Sequence, residues 1–389
     1  MDPDTARALV GTPGARALRL GAALGDPDSL HAASRLRAEV GPALAAAALD
    51  QLSLRRRAAA KFGADAERWF FTAAGLEQAS RPAVSAWRAR RLAGHADALH
   101  DLGSGIGADS AAAGRLGLRL APVEADETTA ILAEANLGVP VTAGDATRVP
   151  LDADAAVFVD PARRTARGRS WRLADLSPPW DFARGLLARA APTCLKVGPG
   201  FPHREIPDDV EAVWVGHGGD AVELALWSGP GAEPGRRSVV LLGDAPAELT
   251  LGTGTPASIG PVAAYLFEPH PAAIAAGAVD DLAHAHGLHR LAGPIAYLAG
   301  DEPVDSPWLT RFAVRESMPW KEKTVRSWVR ERGVGSLEIK KRGIDVDPAQ
   351  LRRRLRPSGD AAATLVLTPT VDGSRALVVE RAPSGWHSA

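Results

Sequence analysis

The chain has 389 residues, of which 46% are hydrophobic and 23% charged, and a formal net charge of −1. That length exceeds one ordinary core and leads us to expect two or three domains. No run approaches the ~20 apolar residues of a membrane span, the N-terminus lacks the basic-then-apolar pattern of a secretion signal, and a single cysteine, Cys194, excludes an internal disulfide framework and a cysteine-built zinc site.

A cytoplasmic protein with no membrane partner and no metal is therefore expected. Bulk charge gives no argument for a polyanionic partner. Basic residues nevertheless cluster at Arg55–Arg57, Trp87–Arg91, Arg163–Arg172 and Lys340–Arg342. Such runs either hold phosphates or cover solvated helix faces.

Residues 1–92 read as a helical domain. Ala, Leu and Arg dominate, and apolar residues recur at helical spacing through Leu30–Leu54. Residues 93–235 change pattern. Short apolar runs (Ala98–Asp101, Leu118–Glu124, Val139–Ala143, Ala155–Asp160, Thr193–Val197) alternate with helical ones (Thr128–Leu137, Phe182–Ala190). This alternation predicts a parallel sheet with helices on both faces. Val210–Val215 and Ala221–Trp227, joined through Gly216–Asp220, predict an antiparallel hairpin that closes it. Residues 236–389 predict a C-terminal α/β domain. Its strands are expected at Ser238–Leu242, Ala247–Leu251, Ser336–Lys341, Ala362–Thr368 and Arg375–Glu380, and its helices at Ala272–His286, Thr324–Arg332 and Pro348–Leu355.

The chemistry concentrates at strand ends. Asp101-Leu-Gly-Ser-Gly-Ile-Gly107 ends the first strand and opens a helix. Glycines allow a sharp turn and a close backbone approach, and the helix start offers unpaired N–H groups. This loop alone fits NAD, FAD or S-adenosylmethionine. Downstream acids narrow the choice. Glu124 lies about 20 residues past the loop, where a carboxylate reaches ribose hydroxyls. Asp145, with Ala146, follows the third strand, and Asp160-Pro161-Ala162-Arg163 ends the fourth. All fall at the carboxyl edge of the sheet, where such folds bind ligands.

In order and spacing, residues 97–228 resemble the class I S-adenosylmethionine-dependent methyltransferases, which have a Rossmann-like sheet. The resemblance implies that Asp101, Gly103, Ser104, Gly105 and Gly107 hold the methionine part of the cofactor. It implies further that Glu124 binds ribose, Asp145 and Ala146 the adenine, and that Asp160 with Pro161 faces the transferred methyl. Gly75-Leu-Glu-Gln-Ala-Ser80, Tyr265-Leu-Phe-Glu-Pro-His270 and Ser336–Gly343 resemble a bacterial family of such enzymes whose C-terminal domain is THUMP-like, after an RNA-binding module.

Enzymes methylating exocyclic base amines carry an aromatic residue after this Asp-Pro pair, and here Ala162 and Arg163 follow instead. Trp171, Trp180 or Phe201 then has to supply any stacking platform. Asp-Pro-x-Arg also resembles the uracil-C5 RNA methyltransferases, whose cysteine nucleophile follows the fifth strand. Cys194 starts that strand and reads better as core. Arg163 and Arg164, with Arg167, Arg169 and Arg172 behind them, are placed to grip phosphates around an extruded base. RNA, methylated at a base nitrogen, is the expected substrate. A protein or small-molecule acceptor, or a silent cofactor- and RNA-binding protein, is the alternative. His284, His286 and His289 do not share one helix face, so no metal site is expected there.

Overall fold

A computed structural model describes residues 1–163, 173–244, 246–252 and 254–382. The chain forms two compact units, residues 1–213 with 223–236, and residues 214–222 with 237–389.

The first unit opens with helices α1 (Pro3–Val10), α2 (Thr12–Ala23), α3 (Leu30–Val40), α4 (Pro42–Phe62), α5 (Ala73–Gln78) and α6 (Pro82–Ala93). Their starts are written locally. Asp2, Ser29 and Thr72 each accept a hydrogen bond from a backbone N–H of the first turn they cap, and proline stands at the first turn of α1, α2, α4 and α6. Leu9, Leu18, Leu36 and Leu49 interlock with Ala17, Ala32, Ala45 and Ala48. The small alanines let the helix backbones approach closely.

The sheet follows, with β1 (Ala98–Leu102), α7 (Ala108–Gly114), β2 (Arg119–Glu124), α8 (Glu127–Leu137), β3 (Thr142–Ala143) and β4 (Ala156–Val159). After the two-residue strands β5 (Ala162–Arg163) and β6 (Leu176–Ser177) come α9 (Trp180–Leu186), β7 (Thr193–Val197), β8 (Glu211–His217) and β9 (Asp220–Ser228). Strand order in this part of a nine-stranded sheet runs β8-β9-β7-β4-β1-β2-β3. β4, β1, β2 and β3 are parallel, β7 pairs parallel to β4, and β9 pairs antiparallel to β7. This is the expected Rossmann-like order with its closing hairpin. All four residues of β4 and all but Lys196 of β7 are buried, as central strands covered on both faces require.

The second unit holds the tip of that hairpin, the antiparallel pair β10 (Arg237–Leu242) and β11 (Ala247–Thr250), and a seven-stranded sheet ordered β13-β14-β12-β15-β18-β17-β16. These strands are β12 (Tyr265–Pro269), β13 (His289–Arg290), β14 (Leu298–Gly300), β15 (Leu309–Pro319), β16 (Val334–Lys341), β17 (Ala361–Thr370) and β18 (Gly373–Arg381). Its helices are α10 (Pro271–Ala276), α11 (Val279–His286), α12 (Glu322–Glu331) and α13 (Pro348–Leu355). The single helix expected over Ala272–His286 is two, because Gly277 takes φ 80° and ends α10. One sheet face packs on α12 and α13 through Val325, Val329, Leu351 and Leu355. Leu266, Phe312, Leu377 and Val379 fill another core cluster. Among the described residues, no helix is long and apolar enough to cross a membrane.

Candidate active site

The loop after β1 turns through three left-handed glycines, with φ 91° at Gly103, 54° at Gly105 and 88° at Gly107. A side chain at any of them strains the backbone. A Cβ at Gly103 would meet the Asp160 carbonyl oxygen at 3.3 Å, and one at Gly107 the Leu137 side chain at 2.9 Å, whereas one at Gly105 would meet nothing. The loop is thus packed at both ends and open in the middle. Gly103 and Ser104 donate their N–H groups to Val123 O. Glu124 braces the crest, its Oε2 accepting from Gly105 N at 2.9 Å and its Oε1 from Asp126 N at 2.9 Å.

Asp101 sits fully buried at the end of β1. Ser110 Oγ donates to its Oδ2 at 2.6 Å, while Oδ1 has no hydrogen-bond partner, nor has the buried Ser104 Oγ. Burial, and then the Asp109 carboxylate nearby, push the Asp101 carboxyl up to about 7 against the help of Ser110 and Arg88. Asp145 is exposed and caps a short turn over Ala146–Arg148, accepting from Thr147 N and Thr147 Oγ1.

Asp160 ends β4, half-buried, with buried Pro161 behind it. Lys196, from the neighbouring β7, donates to its Oδ2 in a short ion pair. Burial, the largest influence, would lower the Lys196 ammonium, but the Asp160, Glu223 and Asp109 carboxylates together outweigh it and hold it above the ordinary lysine range. A carboxylate and a fixed ammonium therefore stand together at the sheet edge beside the glycine loop.

The helical region reaches this edge. Leu54, Phe71 and Leu76 pack with Ile106 of the loop, and Gly75 lies so close that a Cβ there would come within 2.5 Å of Ile106 Cγ2. Asn136 ties the two together, accepting from Phe70 N and donating to Phe70 O and Ile106 O.

The least anticipated residue is Arg88 of α6. Its side chain is 1% exposed. It donates to Asp109 at the start of α7, to both carboxylate oxygens of Glu223 on β9 at 2.6 Å, and stacks 4.2 Å over the Phe158 ring. Arg91 pairs with Glu211 and stacks on Trp227 at 4.4 Å. These two arginines of the Trp87–Arg91 cluster are bound inside the unit rather than offered to phosphates. Val84, Arg88 and Leu92 share one helical face, so the buried arginine was visible as a polar break in an apolar stripe.

Other sequence expectations resolve similarly. Trp180 and Phe201 stack on each other at 5.0 Å and are buried, so they serve as core rather than as platforms. Cys194 lies fully buried between Phe158 and Trp227 in the strand register, and burial pushes its thiol up. That environment leaves it inert as a nucleophile. Lys340 and Arg342 both pair with Glu268. His284 and His289 bond to Thr255 O and Pro261 O, and no cluster suited to a metal occurs among the described residues. The Arg163 side chain, Arg164, Arg167, Arg169, Trp171 and Arg172 lie outside the described residues.

Comparison with known proteins now bears on this edge. Two curated Mycobacterium tuberculosis proteins, from strains CDC 1551 and H37Rv and described as uncharacterized S-adenosylmethionine-dependent methyltransferases, are each 32% identical over 337 residues, covering 82% of this chain and 92% of theirs. The chain belongs to the S-adenosylmethionine-dependent methyltransferases. Residues 309–381 of this methyltransferase match the family described as THUMP domain-like, and residues 2–58 match a domain of unknown function. The enzyme also superposes on the crystal structure of a candidate methyltransferase from Porphyromonas gingivalis W83, with TM-score 0.75, 22% identity, and coverage of 98% of this chain and 99% of that one. At that identity the likeness speaks to the fold alone.

Proposed function

We propose that this methyltransferase methylates RNA at a base nitrogen, in the cytoplasm, with Asp160 and Pro161 as the catalytic pair. The observation that carries the reading is the Asp160 carboxylate at the end of β4, half-buried and fixed by Lys196. A carboxylate there accepts a hydrogen bond from a substrate N–H and aims the nitrogen lone pair along the transfer axis. Orientation of this kind is the main demand of an in-line displacement.

S-adenosylmethionine supplies a methyl group already activated by a cationic sulfur. The chain fits it. Asp101 Oδ1 and Ser104 Oγ are buried polar atoms lacking partners, as a ligand's amine or carboxylate would require. Gly105 faces open space where a side chain would intrude. In this reading Asp101, Gly103, Ser104, Gly105 and Gly107 hold the methionine moiety, Glu124 the ribose, and Asp145 with Ala146 the adenine. Lys196 keeps Asp160 oriented, and the α5 region, packed on the loop, excludes water. Arg163 and Arg164, one residue beyond the Asp-Pro pair in sequence, bind substrate phosphates. The THUMP-like match over residues 309–381 supports an RNA acceptor.

The test is transfer of radiolabelled methyl from S-adenosylmethionine to total RNA and, separately, to total protein from cells lacking the gene. Label in one RNA size class is expected. Label confined to protein would overturn the RNA reading. Cofactor binding with no label in either would leave a small-molecule acceptor or a silent binder.

A further inference from the structure

The second unit carries a site that the methyl-transfer chemistry does not use. An open groove of about 560 Å3 is lined by Arg326 of α12, by Gln350, Arg353 and Arg354 of α13, and by Arg356 just beyond it. We infer that this groove grips the phosphodiester backbone of the RNA substrate. The inference rests on the RNA reading above.

Three observations carry it. The first is charge. Four guanidinium groups line one groove of a chain whose net charge is only −1. One carboxylate, Glu322, serves two of them, accepting from Arg326 at 2.6 Å and from Arg354 at 3.0 Å. Arg353 and Arg356 are exposed and have no ion pair among the described residues. Their forked donors suit a phosphate, which accepts two parallel hydrogen bonds from one guanidinium.

The second is rigidity. Val325 and Val329 of α12, and Leu351 and Leu355 of α13, are buried in one core cluster. The helices bearing the arginines are thus held in place before any ligand arrives, and little ordering has to accompany binding.

The third is a local conflict. Basic residues in the last turn of α13 complement the helix dipole, which accounts for Arg352, Arg353 and Arg354 without any ligand. It does not account for Arg356, which follows the helix at φ 51° and ψ 57°. Among the described residues it is the sole non-glycine with positive φ. Glycine is the ordinary occupant of such a cap. An arginine retained there at the expense of backbone strain points to a task for its side chain.

The test uses the full chain, a short fluorescein-labelled single-stranded RNA of mixed sequence, and anisotropy titrations between about 50 and 200 mM salt. The double reversal R353E/R356E is expected to weaken binding roughly tenfold or more and to reduce the salt slope by about 1.4, two phosphates at about 0.7 each. R19E/R35E makes the same charge change at exposed positions of α2 and α3 and should leave both quantities unchanged. R356G, which relieves the backbone, should hold or raise Tm while still weakening RNA binding, and so separates loss of the site from loss of the fold. Equal effects of the two double reversals, or none from R353E/R356E, would overturn the groove while leaving the RNA reading intact. A wild-type chain that binds no RNA would overturn both. Binding of poly-glutamate at the groove in place of RNA would reassign it to an acidic protein partner.

Discussion

At the scale of single residues, two carboxylates differ sharply in setting. Asp160 meets both Lys196 and solvent, with side-chain exposure of 31%. Asp160→Asn keeps the shape but removes the charge that orients a substrate N–H. Its kcat is expected to fall by about 10²-fold or more, while the calorimetric Kd for S-adenosylmethionine stays within a few-fold. A catalytically silent protein would have no turnover to lose. Asp101 is the opposite case, buried and held up to about 7. An acid raised in the folded state keeps its proton after the unfolded chain has lost it. Its contribution therefore favours folding at low pH and is lost as pH rises from about 4 to 7. Above that range the cofactor-free protein bears the full penalty, up to ~4 kcal/mol for a shift from 3.8 to about 7. Asp101→Asn should accordingly raise urea stability at pH 8 and have little effect at pH 4. In the wild type, binding of the cofactor, whose amine is cationic, should strengthen as pH rises through 7. A flat binding profile would remove Asp101 from the proposed cofactor site.

At the scale of elements, the glycine loop and the strand ends that frame it were legible because their signals are local. Glycine appears where the backbone must turn left-handed, and acids stand where parallel strands end. Thr193–Val197 matches β7 to the residue for the same reason, an apolar run bounded by proline and glycine. β15 escaped detection although it is 11 residues long. A register shift between Val314 and Glu316 interrupts its alternation, so half of the strand presents the wrong period. The role of Arg88 was hidden differently. Its partners come from α7 and β9, and no local window contains them. Arg88→Met would leave Glu223 buried without its charge partner, and the cost is expected near 3–5 kcal/mol by urea denaturation. A change below ~1 kcal/mol would mean that water replaces the guanidinium.

At the scale of the whole molecule, the chain passes between its units three times, since the hairpin tip at residues 214–222 belongs with the C-terminal residues from 237 onward. A linker rich in glycine and proline before residue 237 invites truncation there, and the topology argues against it. A fragment ending at Arg236 retains the tip but lacks the rest of its unit. It should be less soluble than the full chain and show a lower Tm, whereas a soluble fragment with an unchanged melting transition would mean the tip is dispensable.

Arg88 has a further consequence, in time rather than in space. It precedes Glu223 by 135 residues. At roughly 5–20 residues per second, a ribosome leaves that arginine with Asp109 but without Glu223 for roughly 7–27 s. The N-terminal helices emerge first, yet the charge on α6 can be buried only after β9 is synthesised, near the end of the sheet. The helical segment thus waits on the nascent chain in an unfinished state, and its completion is tied to a late strand of the catalytic sheet.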